Sequence, residues 1–234
     1  MYMETLAIYY IATSNYKMGF EHFKKKLHYF FPQFKKTVVI LSDGLDEWDN
    51  VEENGILYKV NHIQHFCWPI ITLFKMKYIN DFQIESDYAC YFNGNLQCNV
   101  NYDYKNSNID FNKLNVSIHV CSSDNDEYDG KRFANIDVNS IAYISKPYKY
   151  IQGGFFFGPS NIVYGMCKEV SEMCEIDLKK NIIPQWHDES YLNKWCSDNE
   201  HLVNKQRFMS HINFADNCIV GIIETIEKDR HLKK

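Results

Sequence analysis

Short apolar runs separated by polar turns dominate the first part of the chain. Four of them have the length and composition of strands: residues 6–11, 37–41, 56–60 and 88–92. Phenylalanine and leucine recur at helical spacing over residues 17–30, and a second helix is predicted to begin at Trp68-Pro69, since proline is tolerated in a first turn. Strands mixed with helices favour an α/β sheet with helices on its faces.

The second half of the chain extends this pattern. Four further elements are predicted there: a strand at residues 116–121, a helix over residues 160–179 capped by Ser160, a helix over residues 187–196 and a strand at residues 219–226. The polar stretches at residues 98–115 and 122–131 are interpreted either as binding loops or as plain surface loops. Since no repeat or linker interrupts the chain, residues 1–234 are predicted to form a single domain.

Polar residues follow two of the predicted strands, where an α/β sheet usually binds its ligands. They are residues 12–16 and Asn93-Gly94-Asn95. An Asn-Gly pair is also a strong signal for a two-residue hairpin. The second segment is therefore interpreted either as a hairpin turn or as a strand end whose side-chain amides contact a phosphate or a sugar.

Adjacent glycines, Gly153-Gly154, precede three consecutive phenylalanines. At a strand start, where we place them, such a pair can mark a bulge or tight packing. It also lets a ligand approach the backbone closely. The residues themselves leave both interpretations open.

The segment from Trp186 to Asn193 combines acids, imidazole, indole and hydroxyl groups at the predicted start of a helix. Acids in a first turn stabilise a helix by complementing its dipole, which accounts for Asp188 or Glu189. It does not account for the tryptophan, the histidine and the asparagine beside them. A carboxylate held there can face a developing positive charge, so the segment predicts chemistry.

Composition narrows the class of protein. A hydrophobic content of 45% and an aromatic content of 16% support a sizeable core, and a net charge of −5 with scattered basic residues argues against binding of nucleic acid. The eight cysteines form no CxxC pair, which argues against a zinc ribbon. No signal peptide and no apolar run of about 18 residues is found, so a reduced, soluble, cytoplasmic protein is expected.

The segment Trp186–Lys194, with the sequence WHDESYLNK, resembles the most recognisable segment of glycosyltransferase family 6. That family includes the histo-blood-group A and B transferases, the α-1,3-galactosyltransferase and their bacterial relatives. Further matching segments are Gly153–Gly158, like the family's donor loop, Ala142–Ile144 just upstream, and residues 68–75 and 88–95, like its helix and its DxD strand. The likeness runs from about Leu6 to Lys194 and fades between Asn199 and Cys218.

The resemblance implies a GT-A fold, which is a Rossmann-like mixed sheet flanked by helices. It implies retaining transfer of galactose or N-acetylgalactosamine from a UDP-sugar to the 3-hydroxyl of a galactoside, such as a fucosylated glycan, with formation of an α-1,3 bond. Glu189 takes the place of the catalytic carboxylate, either as nucleophile or as stabiliser of an oxocarbenium-like transition state. Asp188 and His187 would bind the donor, and Trp186 and His119, together with Glu189, the acceptor.

Other residues match the family's donor site. Ile11, Thr13 and Tyr16 fall where the family holds uridine, with Tyr16 stacking on the base. Gln152 and Gly154 fall where the family discriminates between the two sugars. Because Gly153 and Gly154 leave room for an acetamido group, N-acetylgalactosamine is the expected donor sugar.

One departure from the family concerns the metal. Animal members have Asp-x-Asp, whereas this chain has Asn93 and Asn95 and so resembles the bacterial members that work without a metal. Neutral amides hold a hard dication poorly, so no metal or other cofactor is expected. Cationic side chains would then meet the leaving-group charge: Lys75, aligned with a family arginine, and more weakly Lys228 and Arg230 in the tail.

Two alternatives compete with this hypothesis. A UDP-sugar- or glycan-binding protein of the same fold that has lost transfer would fit Asn93 and Asn95, but it has no need of Glu189. A transferase that uses UDP-glucose or UDP-N-acetylglucosamine would differ in donor alone. A panel of donors, read by release of UDP, separates all of these possibilities.

Overall fold

An eight-stranded mixed sheet forms the centre of the computed structural model, which describes residues 3–104, 106–119, 137–146, 148–210 and 218–222. The strands are β1 Thr5–Ala12, β2 Lys35–Ser42, β3 Glu52–Glu53, β4 Ile56–His62, β5 Tyr88–Phe92, β6 Leu96–Cys98, β7 Leu114–Ile118, β8 Ile151–Pro159, β9 Val203–Gln206, β10 Met209–Ser210 and β11 Val220–Ile222. Their order in the large sheet is β3-β4-β2-β1-β5-β8-β7-β9, and β10, β11 and β6 form a second, small sheet.

Strands β4, β2, β1 and β5 run parallel, so their carboxyl ends meet at one edge of the sheet. Ala12 lies opposite Ser42, and Phe92 lies opposite Tyr10. Strand β8 then runs antiparallel to β5 and brings its own amino end to the same edge. The segments after β1 and β5 and the start of β8 are therefore neighbours.

The described helices pack on the two faces of this sheet. They are α1 Tyr16–Lys26, α2 Ile70–Leu73, α3 Lys75–Asp81, α4 Ser160–Lys179 and α5 His187–Asp198. Helices α3, α4 and α5 cover one apolar cluster, whose members include Tyr91, Phe156 and Trp195. Helix α1 covers the other, which is rich in phenylalanine and includes Phe23 and Phe92. Among the described residues, no helix has both the length and the apolar content needed to cross a membrane.

Most predicted elements are confirmed, and the α/β class with them. The strand predicted at residues 116–121 begins two residues earlier, at Leu114, and its last predicted residues, from Val120, fall outside the described residues. The strand predicted at residues 219–226 is observed as β11, and residues 223–226 are likewise not described. The fold is thus a mixed α/β sheet flanked by helices, consistent with a GT-A fold.

Several local predictions are wrong. Of the two interpretations left open for Asn93-Gly94-Asn95, the hairpin turn is excluded, because β5 pairs with β1 and β8 whereas β6 pairs with β11 in the small sheet. Gly153 and Gly154 lie inside β8 rather than at its start. Ser160 does not cap α4, since its hydroxyl is hydrogen-bonded to the Ser86 hydroxyl at 2.8 Å. The helix expected from Trp68-Pro69, whose peptide bond is cis, begins at Ile70.

Candidate active site

Glu189 lies in the first turn of α5, where the helix meets β8. One carboxylate oxygen accepts a hydrogen bond from the Gly153 amide at 2.8 Å, and the other accepts one from the Tyr150 hydroxyl. The side chain is half-buried. Two donors, one in β8 and one in the residue just before it, therefore fix both oxygens of the predicted catalytic carboxylate.

The surroundings of Glu189 act on its ionisation in opposite directions. Burial and the neighbouring carboxylate of Asp188 raise the pKa of Glu189, while the bonds from Tyr150 and Gly153 and the charge of Lys75 hold it down. The net effect is a raised pKa. Burial and the carboxylate of Glu189 raise the pKa of the Tyr150 hydroxyl, which therefore stays protonated and able to donate.

Asp188 forms a buried ion pair with Lys75. The carboxylate oxygen lies 2.5 Å from the Lys75 Nζ atom, and the same amine donates to the Gly153 carbonyl oxygen at 2.7 Å. Only 4% and 9% of the lysine and aspartate side chains are exposed. The lysine charge expected to face a diphosphate is thus already shared with a carboxylate.

Tyr91 connects this ion pair to the end of β5. The Lys75 amine lies 4.7 Å from the centre of its ring, and its hydroxyl donates to the Asn93 side-chain oxygen at 3.2 Å. The Asn93 amide in turn donates to the Asn95 oxygen at 2.9 Å. Sequence reasoning missed Tyr91, although it precedes Asn93 by two residues and two-residue spacing along a strand places side chains on one face.

The residues predicted to hold uridine lie beside Asn93-Gly94-Asn95. Tyr16 opens α1 after a turn in which Ser14 has a φ of 51°. A Cβ atom added to Gly94 would come within 2.6 Å of the Tyr16 Cβ atom. Ile11 and Thr13, also predicted for uridine, are buried at the end of β1 and just beyond it. The structure therefore brings the two predicted donor segments together.

Aromatic side chains surround Tyr150 on the side predicted to bind the acceptor. The rings of His119 and Trp186 lie 6.1 Å and 6.5 Å from the Tyr150 ring. His187 lies apart from them, 4.9 Å from the exposed Trp68 ring, and its backbone has a left-handed φ of 49°. Burial lowers the pKa of His187, so its imidazole is neutral at pH 7.

The space expected beside the two glycines is occupied. A Cβ atom on Gly153 would lie 2.8 Å from the Glu189 Cγ atom, and one on Gly154 would lie 3.2 Å from the Met209 sulfur. Gln152 is buried, and its amide donates to the Ile118 carbonyl oxygen at 3.2 Å. The glycines therefore permit close packing of protein groups, which removes the physical reason for expecting N-acetylgalactosamine over galactose.

Lys228 and Arg230, proposed to meet the diphosphate, and the stretch 122–131 lie outside the described residues. Within the part of the chain that the structure describes, no group of three or more His, Cys, Asp or Glu side chains is placed to hold a metal ion. Both side-chain oxygens of Asn93 and Asn95 instead accept hydrogen bonds from protein groups.

Together these contacts form a site with one half-buried carboxylate, an adjacent buried ion pair and a row of amides at the sheet edge. A family model described as Glycosyltransferase family 6 matches residues 5–205 of the chain. The chain is also similar to the O-antigen biosynthesis glycosyltransferase WbnI of Escherichia coli, with 28% identity over 227 residues, which cover 92% of each chain.

Proposed function

The chain belongs to glycosyltransferase family 6, and we propose that it moves N-acetylgalactosamine or galactose from a UDP-sugar to the 3-hydroxyl of a galactoside. The transfer retains the anomeric configuration and forms an α-1,3 bond, with a fucosylated glycan as the type of acceptor. The family and the relative support the coarser statement directly: the protein is a glycosyltransferase that uses a nucleotide-sugar donor and a glycan acceptor.

The observation that carries the proposal is the carboxylate of Glu189, held by the Tyr150 hydroxyl and the Gly153 amide. A carboxylate fixed before the reaction stabilises a developing positive charge without reorganising in the transition state. A retaining transfer with one carboxylate near the reacting carbon is compatible with two mechanisms. In the first, a covalent glycosyl-enzyme intermediate forms. In the second, the acceptor attacks from the same face from which the leaving group departs. Glu189 serves as nucleophile in the first case and as electrostatic stabiliser in the second.

Asp188 and Lys75 have linked roles in this proposal. Asp188 accepts a hydrogen bond from a donor-sugar hydroxyl, and Lys75 orients the aspartate through their contact of 2.5 Å. Because the Lys75 amine already forms an ion pair with Asp188, it stabilises the charge of the diphosphate less than its alignment with a family arginine implies. Lys228 and Arg230 remain the proposed cations for that group.

We also propose that transfer needs no metal ion. Its support is the chemistry of Asn93 and Asn95, two neutral amides whose oxygens already accept hydrogen bonds from Tyr91 and from Asn93 itself. The leaving UDP is then stabilised by amide donors and cationic side chains. The expected setting is the cytoplasm, with precursors of surface glycans as acceptors, and the O-antigen biosynthesis named for the relative supports that choice.

A donor panel tests the function. The protein is incubated with UDP-N-acetylgalactosamine, UDP-galactose, UDP-glucose and UDP-N-acetylglucosamine, each with and without fucosylated lactose, and with and without EDTA. We expect UDP release and an α-1,3-linked product with one or both of the first two donors, unchanged by EDTA. UDP binding without release for any donor would identify a binding protein instead, and a strict Mn²⁺ requirement would overturn the metal-free mechanism.

Substitution of the carboxylate tests its role. We expect Glu189→Gln to lower kcat by about 100-fold or more, because the neutral amide cannot face a developing positive charge. The affinity for UDP, measured by isothermal titration calorimetry, stays unchanged. Glu172→Gln, at an exposed glutamate of α4, is the matched control and keeps full activity. Near-normal turnover of Glu189→Gln would remove this residue from the mechanism.

A further inference from the structure

Asn193 is a buried polar residue of the Trp186–Asn193 segment to which the proposed function gives no role. It is 1% exposed, one helical turn after Glu189 on α5. Its side-chain oxygen accepts from the Ile151 amide at 2.8 Å, and its NH₂ group donates to the Ile151 carbonyl at 2.9 Å and to the Glu189 carbonyl at 2.7 Å. The carboxamide thus pairs with Ile151 much as a neighbouring strand would.

The position of Ile151 gives this pairing its importance. Ile151 lies between Tyr150 and Gly153, the two residues of this stretch that donate to Glu189. Glu189 and Asn193 each join α5 to this stretch by two hydrogen bonds. A shift of β8 along α5 would therefore move both donors away from the carboxylate at once.

We propose that Asn193 is a positioning residue, which fixes β8 against α5 so that the Tyr150 hydroxyl and the Gly153 amide both reach the Glu189 carboxylate. This inference rests on the proposed function in one respect, namely that Glu189 is the reacting carboxylate. Asn193 itself acts through the strand, since all of its amide hydrogens and its oxygen are used in the bonds to Ile151 and Glu189.

The proposal has a consequence for ionisation that a merely structural asparagine would not have. The charged groups that face Glu189 are Lys75 from α3 and Asp188 from its own helix, with the Tyr150 hydroxyl from the residue just before β8. Hydrogen bonds to a carboxylate favour its charged form. When β8 is loosened, the hydrogen bonds from Tyr150 and Gly153 that lower the pKa of Glu189 weaken. Burial and Asp188 still raise it, so the pKa of Glu189 rises further.

The main variant is Asn193→Leu, which keeps the shape of the side chain and removes its three hydrogen bonds. We expect kcat to fall by about 10- to 100-fold, because misplacement of a reacting group by about 1 Å has an effect of this order. The KM for the donor changes by less than about threefold, since the variant leaves the contacts that bind the donor equally in the ground state and the transition state in place. The acidic limb of the pH–kcat profile moves to higher pH.

Two further variants keep the test decisive. Asn199→Leu removes a comparable hydrogen bond, from the asparagine amide to the Trp195 carbonyl at 3.0 Å, at the far end of the same helix, and we expect it to leave the pH profile unchanged. Asn193→Thr keeps one polar side-chain group at this position while it removes the carboxamide that pairs with Ile151. It carries the test with a smaller effect in the same direction if Asn193→Leu does not fold.

The ionisation of Glu189 can also be measured without activity. Its ¹³C-labelled carboxyl signal, assigned by its loss in Glu189→Gln, is titrated by NMR in the wild type and in Asn193→Leu. A higher pKa in the variant supports the proposal, and an unchanged pKa together with unchanged kcat in a folded variant overturns it. If the wild type neither transfers nor hydrolyses any UDP-sugar, the proposed function fails, while the NMR titration still decides the role of Asn193.

Discussion

At the scale of single residues, the two adjacent glycines of β8 have different neighbours. The Cβ position of Gly153 is enclosed by Glu189, Asp188 and Lys75, all within 3.1 Å. That of Gly154 faces the flexible side chain of Met209, whose sulfur lies 3.2 Å away. The first position is surrounded by the charged groups of the site, and the second by an apolar chain that can move.

This difference predicts opposite tolerance to one added methyl group. Gly153→Ala must displace Glu189 or the Lys75–Asp188 pair, so kcat is expected to fall by about 100-fold. Gly154→Ala requires only a small movement of Met209, so its kcat stays within about threefold of the wild type, with a stability cost below about 1.5 kcal/mol. Steady-state UDP release and thermal unfolding measure both, and equal losses in the two variants would contradict the packing argument.

The sequence identified Glu189 and Asp188 because they belong to one contiguous segment with an unusual mixture of groups. It could not identify Tyr150, which contacts Glu189 across 39 residues of chain. A tyrosine between Lys149 and Ile151 gives no sign of chemistry in the sequence, and Tyr150 is 1% exposed in the fold. The docking of α5 on β8 gives its hydroxyl the Glu189 carboxylate as a partner, and docking is not a local property.

At the scale of elements, Asp177 joins three parts of the fold. It lies near the end of α4 and is fully buried. Its carboxylate accepts hydrogen bonds from the Ser140 hydroxyl at 2.6 Å, the Ile141 amide at 3.1 Å and the Tyr191 hydroxyl of α5 at 3.2 Å. The aspartate thus fixes both the segment 137–146 and the helix that carries Glu189.

We expect Asp177→Ala to lower the free energy of unfolding by about 2–4 kcal/mol, because it leaves several buried donors without an acceptor. Tyr191→Phe removes only the longest of these bonds and should cost about 0.5–1.5 kcal/mol. Urea unfolding followed by tryptophan fluorescence measures both values. Equal losses in the two variants would show that the other contacts of Asp177 do not stabilise the fold.

Local patterns explain which elements were predicted well. The helix over residues 160–179 was predicted with its observed bounds, because its apolar residues recur at helical spacing within one continuous stretch of sequence. Asp177 stands on the same stripe, three residues after the buried Cys174, and the sequence offers no way to see its acceptor role without the segment 137–146. For the same reason the sequence could not decide between a hairpin and a strand end at Gly94, since the partners of β5 and β6 are distant in sequence.

At the scale of the whole molecule, the sheet separates two apolar clusters, and Lys36 lies on the one opposite the active site. Its neighbours on β1 and β4 are Leu6 and Ile56, both members of that cluster. The lysine is 5% exposed, and its amine donates to the Phe34 carbonyl at 3.4 Å. Burial lowers the pKa of Lys36, so a charged amine destabilises the folded state.

The buried amine makes stability depend on pH in a defined direction. Well below the lowered pKa, the folded state carries the full cost of burying the charge. Between that pKa and the unfolded value of about 10.4, the unfolded chain binds more protons, so the free energy of unfolding rises with pH. We therefore expect Lys36→Met to stabilise the protein by about 1–3 kcal/mol at pH 7, with an advantage that shrinks as the pH approaches 10.

Lys35→Met is the matched control, since Lys35 is the exposed neighbour on the same strand and should change stability by no more than about 0.5 kcal/mol at any pH. Urea unfolding at several pH values between 7 and 9.5 gives the difference between each variant and the wild type. The buried tyrosines titrate alike in the wild type and in the variants. Subtracting the two free energies of unfolding therefore leaves the contribution of Lys36 alone. An advantage of Lys36→Met that stays constant across this range would contradict the lowered pKa, because it would mean that the amine stays protonated in the folded and the unfolded state up to pH 9.5.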